Sequence, residues 1–187
     1  MKAMIFAAGL GTRLKPLTDN KPKALVEIAG KPLLEHVINK LTAAGFNEII
    51  INVHHFADQI IDFVKQKNNF GVRLEISDER QMLLDTGGGV QKAAWFFDDG
   101  KPFLLHNVDI LSDINLQTLY ANHLETGAEA TLAVNSRVTS RYLFFDRTMR
   151  MRGWTNETTG EIKPPGTEID KTWEKLAFSG IHVISHS

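Results

Sequence analysis

The sequence predicts an α/β fold: a three-layer α/β/α arrangement around a mostly parallel, Rossmann-like sheet. Short apolar runs typical of buried strands alternate with segments whose apolar residues recur at helical spacing, and the connections are short. Segments rich in glycine, charged or polar residues follow three of the predicted strands. Because parallel strands joined by right-handed crossovers end at one edge of a sheet, we expect these segments to meet there and bind a ligand.

Each element is predicted from its own pattern. An all-apolar run that ends at a glycine indicates a buried strand, and apolar residues three and four positions apart indicate a helix. The predicted strands are 3–8, 48–53, 72–76, 102–106, 130–134, 142–145 and 177–184, and the predicted helices are 32–44, 56–67, 90–97 and 116–125. The polar segment 155–171 contains two glycines and two prolines and is predicted to be a loop or hairpin tip.

Length and charge narrow the class of protein. The 187 residues suit one domain, 1–187, with a sizeable core. Lys plus Arg is 21 and Asp plus Glu is 22, so the chain lacks the excess of basic residues that is typical of proteins that bind nucleic acids or membrane surfaces. The chain has no cysteine, which excludes disulfides and thiol nucleophiles. With no signal peptide or apolar span, a cytoplasmic location is expected, and a homo-oligomer is left open.

The first candidate site is the glycine-rich segment after the first strand. Gly9 and Gly11 let the backbone turn sharply near a ligand, and successive exposed N–H groups there would form an anion-binding concavity. Arg13 offers a planar fork to phosphate oxygens, and Lys23 offers a compact positive charge. Two prolines stiffen the path to Lys23. This combination is what a nucleoside triphosphate requires.

Other glycine-rich loops fit this segment less well. A dinucleotide-binding loop would have a third glycine where Leu14 stands, and a Walker loop would continue with Gly-Lys-Ser or Gly-Lys-Thr. A plain surface turn with solvated cations remains an alternative, which the nearby Arg, Lys and prolines disfavour.

Three further segments follow strands or lie within one. The glycines at 87–89 open a predicted helix, where N–H groups are available to a base or ribose, although a flexible loop is the simpler alternative. Asp109 follows a buried strand and could bind Mg²⁺ or cap a turn. Gly180 inside a strand indicates a close backbone approach, a bulge or a plain structural glycine. Adjacent His54 and His55 face opposite ways and do not suggest zinc.

The segments 7–18, 22–23 and 30–33 together resemble the signature of sugar-phosphate nucleotidyltransferases. Within that family the chain is most similar to the branch of N-acetylmuramate 1-phosphate uridylyltransferases and mannose 1-phosphate guanylyltransferases, with the nucleotide-diphospho-sugar transferase fold. Segment 84–90 resembles a Leu-Glu-Thr-Gly-Gly-Gly-Ile motif there, with Asp85 in place of Glu. Val108 likewise stands where the family has Gly or Ala.

The resemblance implies a role for each candidate residue. Arg13 and Lys23 would be catalytic, and Asp109 would bind Mg²⁺. Asn107 and Gly180 would contact the sugar phosphate. The nucleotide would be bound by Ala7, Ala8, Gly9, Gly11, Thr12, Gln81, Thr86, Gly87 and Gly88.

The predicted activity is transfer of a nucleotidyl group from a nucleoside triphosphate to a sugar 1-phosphate, giving a nucleotide sugar and pyrophosphate. UTP is favoured, and GTP or another nucleotide stays open. The chain is shorter than the family, whose second Mg²⁺-binding Asp would lie beyond residue 187. Two alternatives remain: a non-catalytic nucleotide-binding regulatory domain, and a nucleotide-sugar-dependent glycosyltransferase, for which Asn107 departs from the Asp-x-Asp metal motif.

Overall fold

Apolar runs form the buried strands in the computed structural model, which describes residues 1–186. The strands are β1 (Lys2–Phe6), β2 (Glu27–Ile28), β3 (Lys31–Pro32), β4 (Glu48–Val53), β5 (Arg73–Asp78), β6 (Phe103–Asn107), β7 (Ala130–Asn135), β8 (Arg141–Phe145), β9 (Met151–Asn156), β10 (Glu161–Lys163) and β11 (Glu174–Ile184). The helices are α1 (Leu33–Ala43), α2 (Ala57–Gln66), α3 (Asp85–Lys92) and α4 (Leu116–Thr126). Contacts divide the chain into two units, Met1–Thr131 with Gly180–Ser187, and Leu132–Ser179.

The first unit contains the mostly parallel sheet that the sequence predicts. Its strand order is β11–β6–β1–β4–β5. β1 pairs in parallel with both β4 and β6, and β4 pairs in parallel with β5. The end of β11, Ile181–Ile184, pairs antiparallel with β6. The predicted fold class is confirmed.

Helix and core positions follow the apolar spacing. The buried residues of α1 recur three and four positions apart, as predicted: Leu33, Leu34, Val37, Ile38 and Leu41. Under the sheet, Phe97 stacks on Phe103 with ring centroids 3.8 Å apart, within a core that also includes Met4 and Ile50. No helix among residues 1–186 is long and apolar enough to cross a membrane.

The second unit is an antiparallel meander. β8 pairs with β9, β9 pairs with β10, and the start of β11 pairs with β8. β9 and β10 form a hairpin whose turn is closed by the Gly160 N–H, which donates to Asn156 O at 2.8 Å. Residues 155–171 were predicted to be a loop or hairpin tip, and the hairpin is present. The loop alternative was wrong for Glu161–Lys163, which gains its strand conformation from pairing with β9.

The glycine-rich helix start also differs from the prediction. We expected a helix at 90–97, after the three glycines, but α3 begins at Asp85 and includes them, and a separate 3-10 turn follows at Ala94–Phe96. Glycine is a poor helix former, so local propensity predicts a loop. Tertiary contacts of Gly89, described below, explain why glycine is nevertheless suited to this helix.

Candidate active site

A cavity of about 240 Å³ opens in the first unit at the carboxyl ends of β1 and β6. The strand order reverses here, because β4 follows β1 on one side while β6 lies on the other. The residues that line the cavity are Phe6, Ala7, Ala8, Gly9, Lys23, Asn52, Leu83, Asp85, Thr86, Asn107, Val108 and Asp109. The glycine-rich loop, the start of α3 and the turn after β6, which were expected to meet at this edge of the sheet, all contribute to the lining.

The glycine-rich loop folds back toward Lys23. Gly11 has a φ of +67°, a conformation that L residues rarely adopt. The Thr18 hydroxyl donates a hydrogen bond to Gly11 O at 2.9 Å, closing the loop. A side chain at position 11 would also meet Thr18 Cγ2 at 3.0 Å and Lys23 Cβ at 3.2 Å. Gly11 thus lets the loop pack directly against the base of the lysine.

Lys23 and Asp109 form an ion pair at the rim of the cavity. Lys23 Nζ donates to Asp109 Oδ2, and the side chains keep 24% and 36% of their accessible surface. The lysine comes from the glycine-rich loop and the aspartate from the turn after β6, so the sheet edge brings together charges 86 positions apart in the chain. Both groups remain accessible to a charged ligand.

Asn52, which the sequence reasoning missed, is a buried polar residue in the lining of the cavity. Its Oδ1 accepts hydrogen bonds from the backbone N–H groups of Ala7, at 2.7 Å, and Ala8, at 3.3 Å. The amides of Ala7 and Ala8 therefore have a hydrogen-bond acceptor within the chain, and the role of these two residues in nucleotide binding stays a prediction. One signal was available: Asn52 interrupts the apolar strand β4, and a buried amide requires partners.

The remaining candidate residues divide between the cavity and its surroundings. Thr86 lies in the lining, whereas the lining residues described above do not include Gln81, Arg13, Gly11, Thr12, Gly87, Gly88 or Gly180. Gln81, Arg13 and Thr12 are exposed. Gly180 has a φ of +75°, and a Cβ there would lie 2.9 Å from Asn107 Nδ2, so the predicted close approach is present. The functional roles of these residues stay predictions.

Burial keeps a neighbouring histidine neutral. His106 precedes Asn107 on β6 and is completely buried. Burial lowers the pKa of His106 to about 4, although a hydrogen bond between its Nδ1 and Asn107 O acts in the opposite direction. At neutral pH the cation next to Asp109 is therefore Lys23 rather than His106.

Comparisons with known proteins identify the family. A nucleotidyl transferase family model matches residues 2–142. N-acetylmuramate alpha-1-phosphate uridylyltransferase from Caulobacter vibrioides is 38% identical over 133 residues, covering 70% of this chain and 51% of that protein. Mannose-1-phosphate guanyltransferase from Gibberella zeae is 38% identical over 136 residues, covering 72% of this chain and 37% of that protein.

A solved structure shares the fold. HddC from Yersinia pseudotuberculosis, complexed with GMP-PN, superposes with a TM-score of 0.77 at 24% identity, covering 98% of this chain and 76% of that chain. The chain spans about half the length, or less, of the curated relatives described above. Its match to the family model, together with the cavity built from the glycine-rich loop, shows that this chain belongs to the nucleotidyl transferase family.

Proposed function

We propose that this chain transfers a nucleotidyl group from a nucleoside triphosphate, with UTP favoured, to a sugar 1-phosphate. The observation that carries the proposal is the meeting of Lys23 and Asp109 at the rim of a cavity formed by the glycine-rich loop and β6. The similarity to an N-acetylmuramate 1-phosphate uridylyltransferase supports UTP and an amino-sugar phosphate, whereas the similarity to a guanyltransferase keeps GTP as the main competitor.

The proposed reaction is a direct displacement. An oxygen of the sugar 1-phosphate forms a bond to the α-phosphorus, the bond from that phosphorus to the bridging oxygen breaks, and pyrophosphate leaves. The nucleophile is already an anion, so positioning and charge neutralisation supply the catalysis. Lys23 neutralises charge on the reacting phosphates, Arg13 binds the β- and γ-phosphates, and Asn107 and Gly180 position the sugar phosphate.

The donor set at the rim fits Mg²⁺. Magnesium is usually held by one or two carboxylates, with phosphate oxygens and waters completing its octahedron. Asp109 supplies one accessible carboxylate, and within residues 1–186 no cluster of three or more His, Cys, Asp or Glu side chains is placed to hold a metal. Bound to Asp109 and the phosphates, the ion would neutralise developing negative charge. Substrate phosphates therefore have to complete the site.

Pyrophosphate release provides the test. Purified chain is incubated with Mg²⁺, one of four nucleoside triphosphates, and N-acetylmuramate, mannose or glucose 1-phosphate. We expect turnover to require both substrates and to be highest with UTP and the amino-sugar phosphate. Asp109→Asn should reduce turnover by about 100-fold, because the metal ligand is lost. Asp113→Asn, in the exposed segment four residues later, should retain it.

Two outcomes would overturn the proposal. One is nucleotide binding without pyrophosphate release for every sugar phosphate, which would identify a non-catalytic nucleotide-binding domain. The other is equal turnover by Asp109→Asn and the unaltered chain, which would show that Asp109 is not a metal ligand that the reaction requires.

A further inference from the structure

A chain of hydrogen bonds connects the glycine-rich loop to the segment before α3 through two side chains. Asn52 Oδ1 accepts from the N–H groups of Ala7 and Ala8, and Asn52 Nδ2 donates to Glu79 Oε1 at 2.9 Å. The other carboxylate oxygen of Glu79 accepts from the Leu84 N–H at 3.3 Å. One amide and one carboxylate therefore connect two backbone segments that are distant in sequence.

Glu79 has little room to move. Its side chain has no accessible surface, and its backbone N–H donates to Val53 O at 2.7 Å, which anchors it to the end of β4. On the opposite side, a Cβ at position 89 would lie 2.9 Å from Glu79 Oε1, so Gly89 brings the α3 backbone against the carboxylate. Burying a carboxylate is costly unless it is hydrogen-bonded, so this arrangement requires its partners.

Both connected segments contribute to the lining of the cavity. Residues 7–9 and residues 85–86 line it, and so does Asn52, which is hydrogen-bonded to the first segment directly and to the second through Glu79. We propose that Asn52 and Glu79 are positioning residues, which hold the glycine-rich loop and the start of α3 at the separation that a bound nucleotide requires. This inference rests on the proposed function, because it assumes that the cavity binds the nucleoside triphosphate.

The polarity of the network suggests an exchange experiment. The backbone N–H groups at both ends of the network are donors, so each of the two side chains must present an acceptor to the backbone. Where the two side chains meet, one must donate a hydrogen bond and the other must accept it. In N52D/E79Q, the carboxylate introduced at position 52 accepts from the loop amides and from the side-chain amide introduced at position 79. The oxygen of that amide accepts from the Leu84 N–H. Every hydrogen bond is retained, and the number of buried charges is unchanged.

Each single variant breaks the same network. Glu79→Gln leaves two N–H donors facing each other, either at Asn52 or at Leu84. Asn52→Asp places two carboxylates next to each other in a buried space. Ser77→Ala is the matched control, because Ser77 lies beside Asn52 in the β4–β5 register and its buried Oγ has no hydrogen-bond partner among the described residues.

The measurements are the Kd of Mg²⁺–UTP and Mg²⁺–GTP by calorimetry, and KM and kcat from pyrophosphate release. We expect each single variant to raise the nucleotide Kd and KM by about ten-fold or more, with kcat changed less. We expect the double variant to return within about three-fold of the unaltered chain, and Ser77→Ala to match it. Thermal unfolding of every variant shows that it is folded at the assay temperature.

The outcomes separate the two hypotheses. If the unaltered chain neither binds nucleotide nor releases pyrophosphate, the proposed function fails and this inference with it. If the unaltered chain is active and the folded single variants keep its Kd and KM, or the double variant is as weak as both singles together, only the positioning role is overturned. If a single variant unfolds, Gly89→Ala replaces it, since it displaces the Glu79 carboxylate, and an unchanged Kd in folded Gly89→Ala overturns the proposal.

Discussion

Lys23 and Asp109 neutralise each other at the rim of the cavity, and the proposed ligands would replace both halves of this pair. A triphosphate oxygen would take the place of Asp109 on the lysine, while Mg²⁺ would take the place of the lysine on Asp109. Both side chains are partly exposed, so little desolvation opposes the exchange. The pair therefore keeps two opposite charges in position, while the stability of the fold depends little on either of them.

Replacing Lys23 should separate catalysis from stability. We expect Lys23→Ala to lower kcat by about 100-fold or more, because a cation next to the reacting phosphates is lost, while the melting temperature changes little, since an exposed ion pair contributes about 0–1 kcal/mol. Lys21→Ala, an exposed lysine two positions earlier, is the control. Near-normal pyrophosphate release by Lys23→Ala would contradict the assignment.

At the scale of elements, α3 combines three glycines with close contacts. A Cβ atom added at position 89 would lie 2.9 Å from Glu79 Oε1 and 3.2 Å from Asn52 Nδ2. A Cβ atom added at position 87 would meet nothing within 4 Å. Two glycines of one helix therefore differ in the space around them. Gly89 is required by packing, but Gly87 lowers helix stability without a steric reason.

The two glycines should respond oppositely to the same substitution. We expect Gly89→Ala to lower the free energy of unfolding by about 1–3 kcal/mol through overpacking. Gly87→Ala should raise it by up to about 1 kcal/mol through helix propensity. Chemical denaturation of both variants measures the difference. Equal effects would mean that the carboxylate does not restrict position 89.

The start of α4 depends on a cap that can be tested separately. Asn115 Oδ1 accepts a hydrogen bond from the Thr118 N–H at 3.0 Å. Asn115→Ala should lower the free energy of unfolding by about 1 kcal/mol, because an N–H at the helix start loses its partner. Gln117→Ala, exposed on the same helix, is the control. If both variants have the same stability in denaturation, the cap has no measurable effect.

At the scale of the whole molecule, buried histidines make stability depend on pH. Burial lowers the pKa of His106 and of the partly buried His182 to about 4. Between the unfolded pKa near 6.5 and the folded value, the unfolded chain binds more protons, so stability decreases as the pH falls. The carboxyl pKa values of Asp78 and Asp98 are lowered, so these two groups affect stability only at pH values below that range.

The contribution of His106 to this pH dependence can be measured separately. From about pH 7 to about pH 5, His106 alone should lower the free energy of unfolding by about 2 kcal/mol. We expect His106→Gln to lose this part of the dependence in denaturation curves recorded at both pH values. The same slope in the variant would show that burial of His106 does not disfavour its charged form.

The sequence by itself determined the fold class, the edge at which the site lies and the family. Strand and helix periodicity depend on which faces are buried, so β4 was predicted at its observed bounds, 48–53, and Asp109 and the glycine-rich loop were placed at one sheet edge. Local patterns of this kind reflect neighbouring residues only.

The tertiary structure alone decided how the candidate residues combine. It paired Lys23 with Asp109 and brought Asn52 and Glu79 between the loop and α3, in contacts that span 86 and 27 positions. It also formed a helix through three glycines, against their propensity, since a bulkier residue at 89 would displace a buried carboxylate. The physical reason is that these contacts arise only where the parallel strands align their carboxyl ends, and no local pattern encodes them.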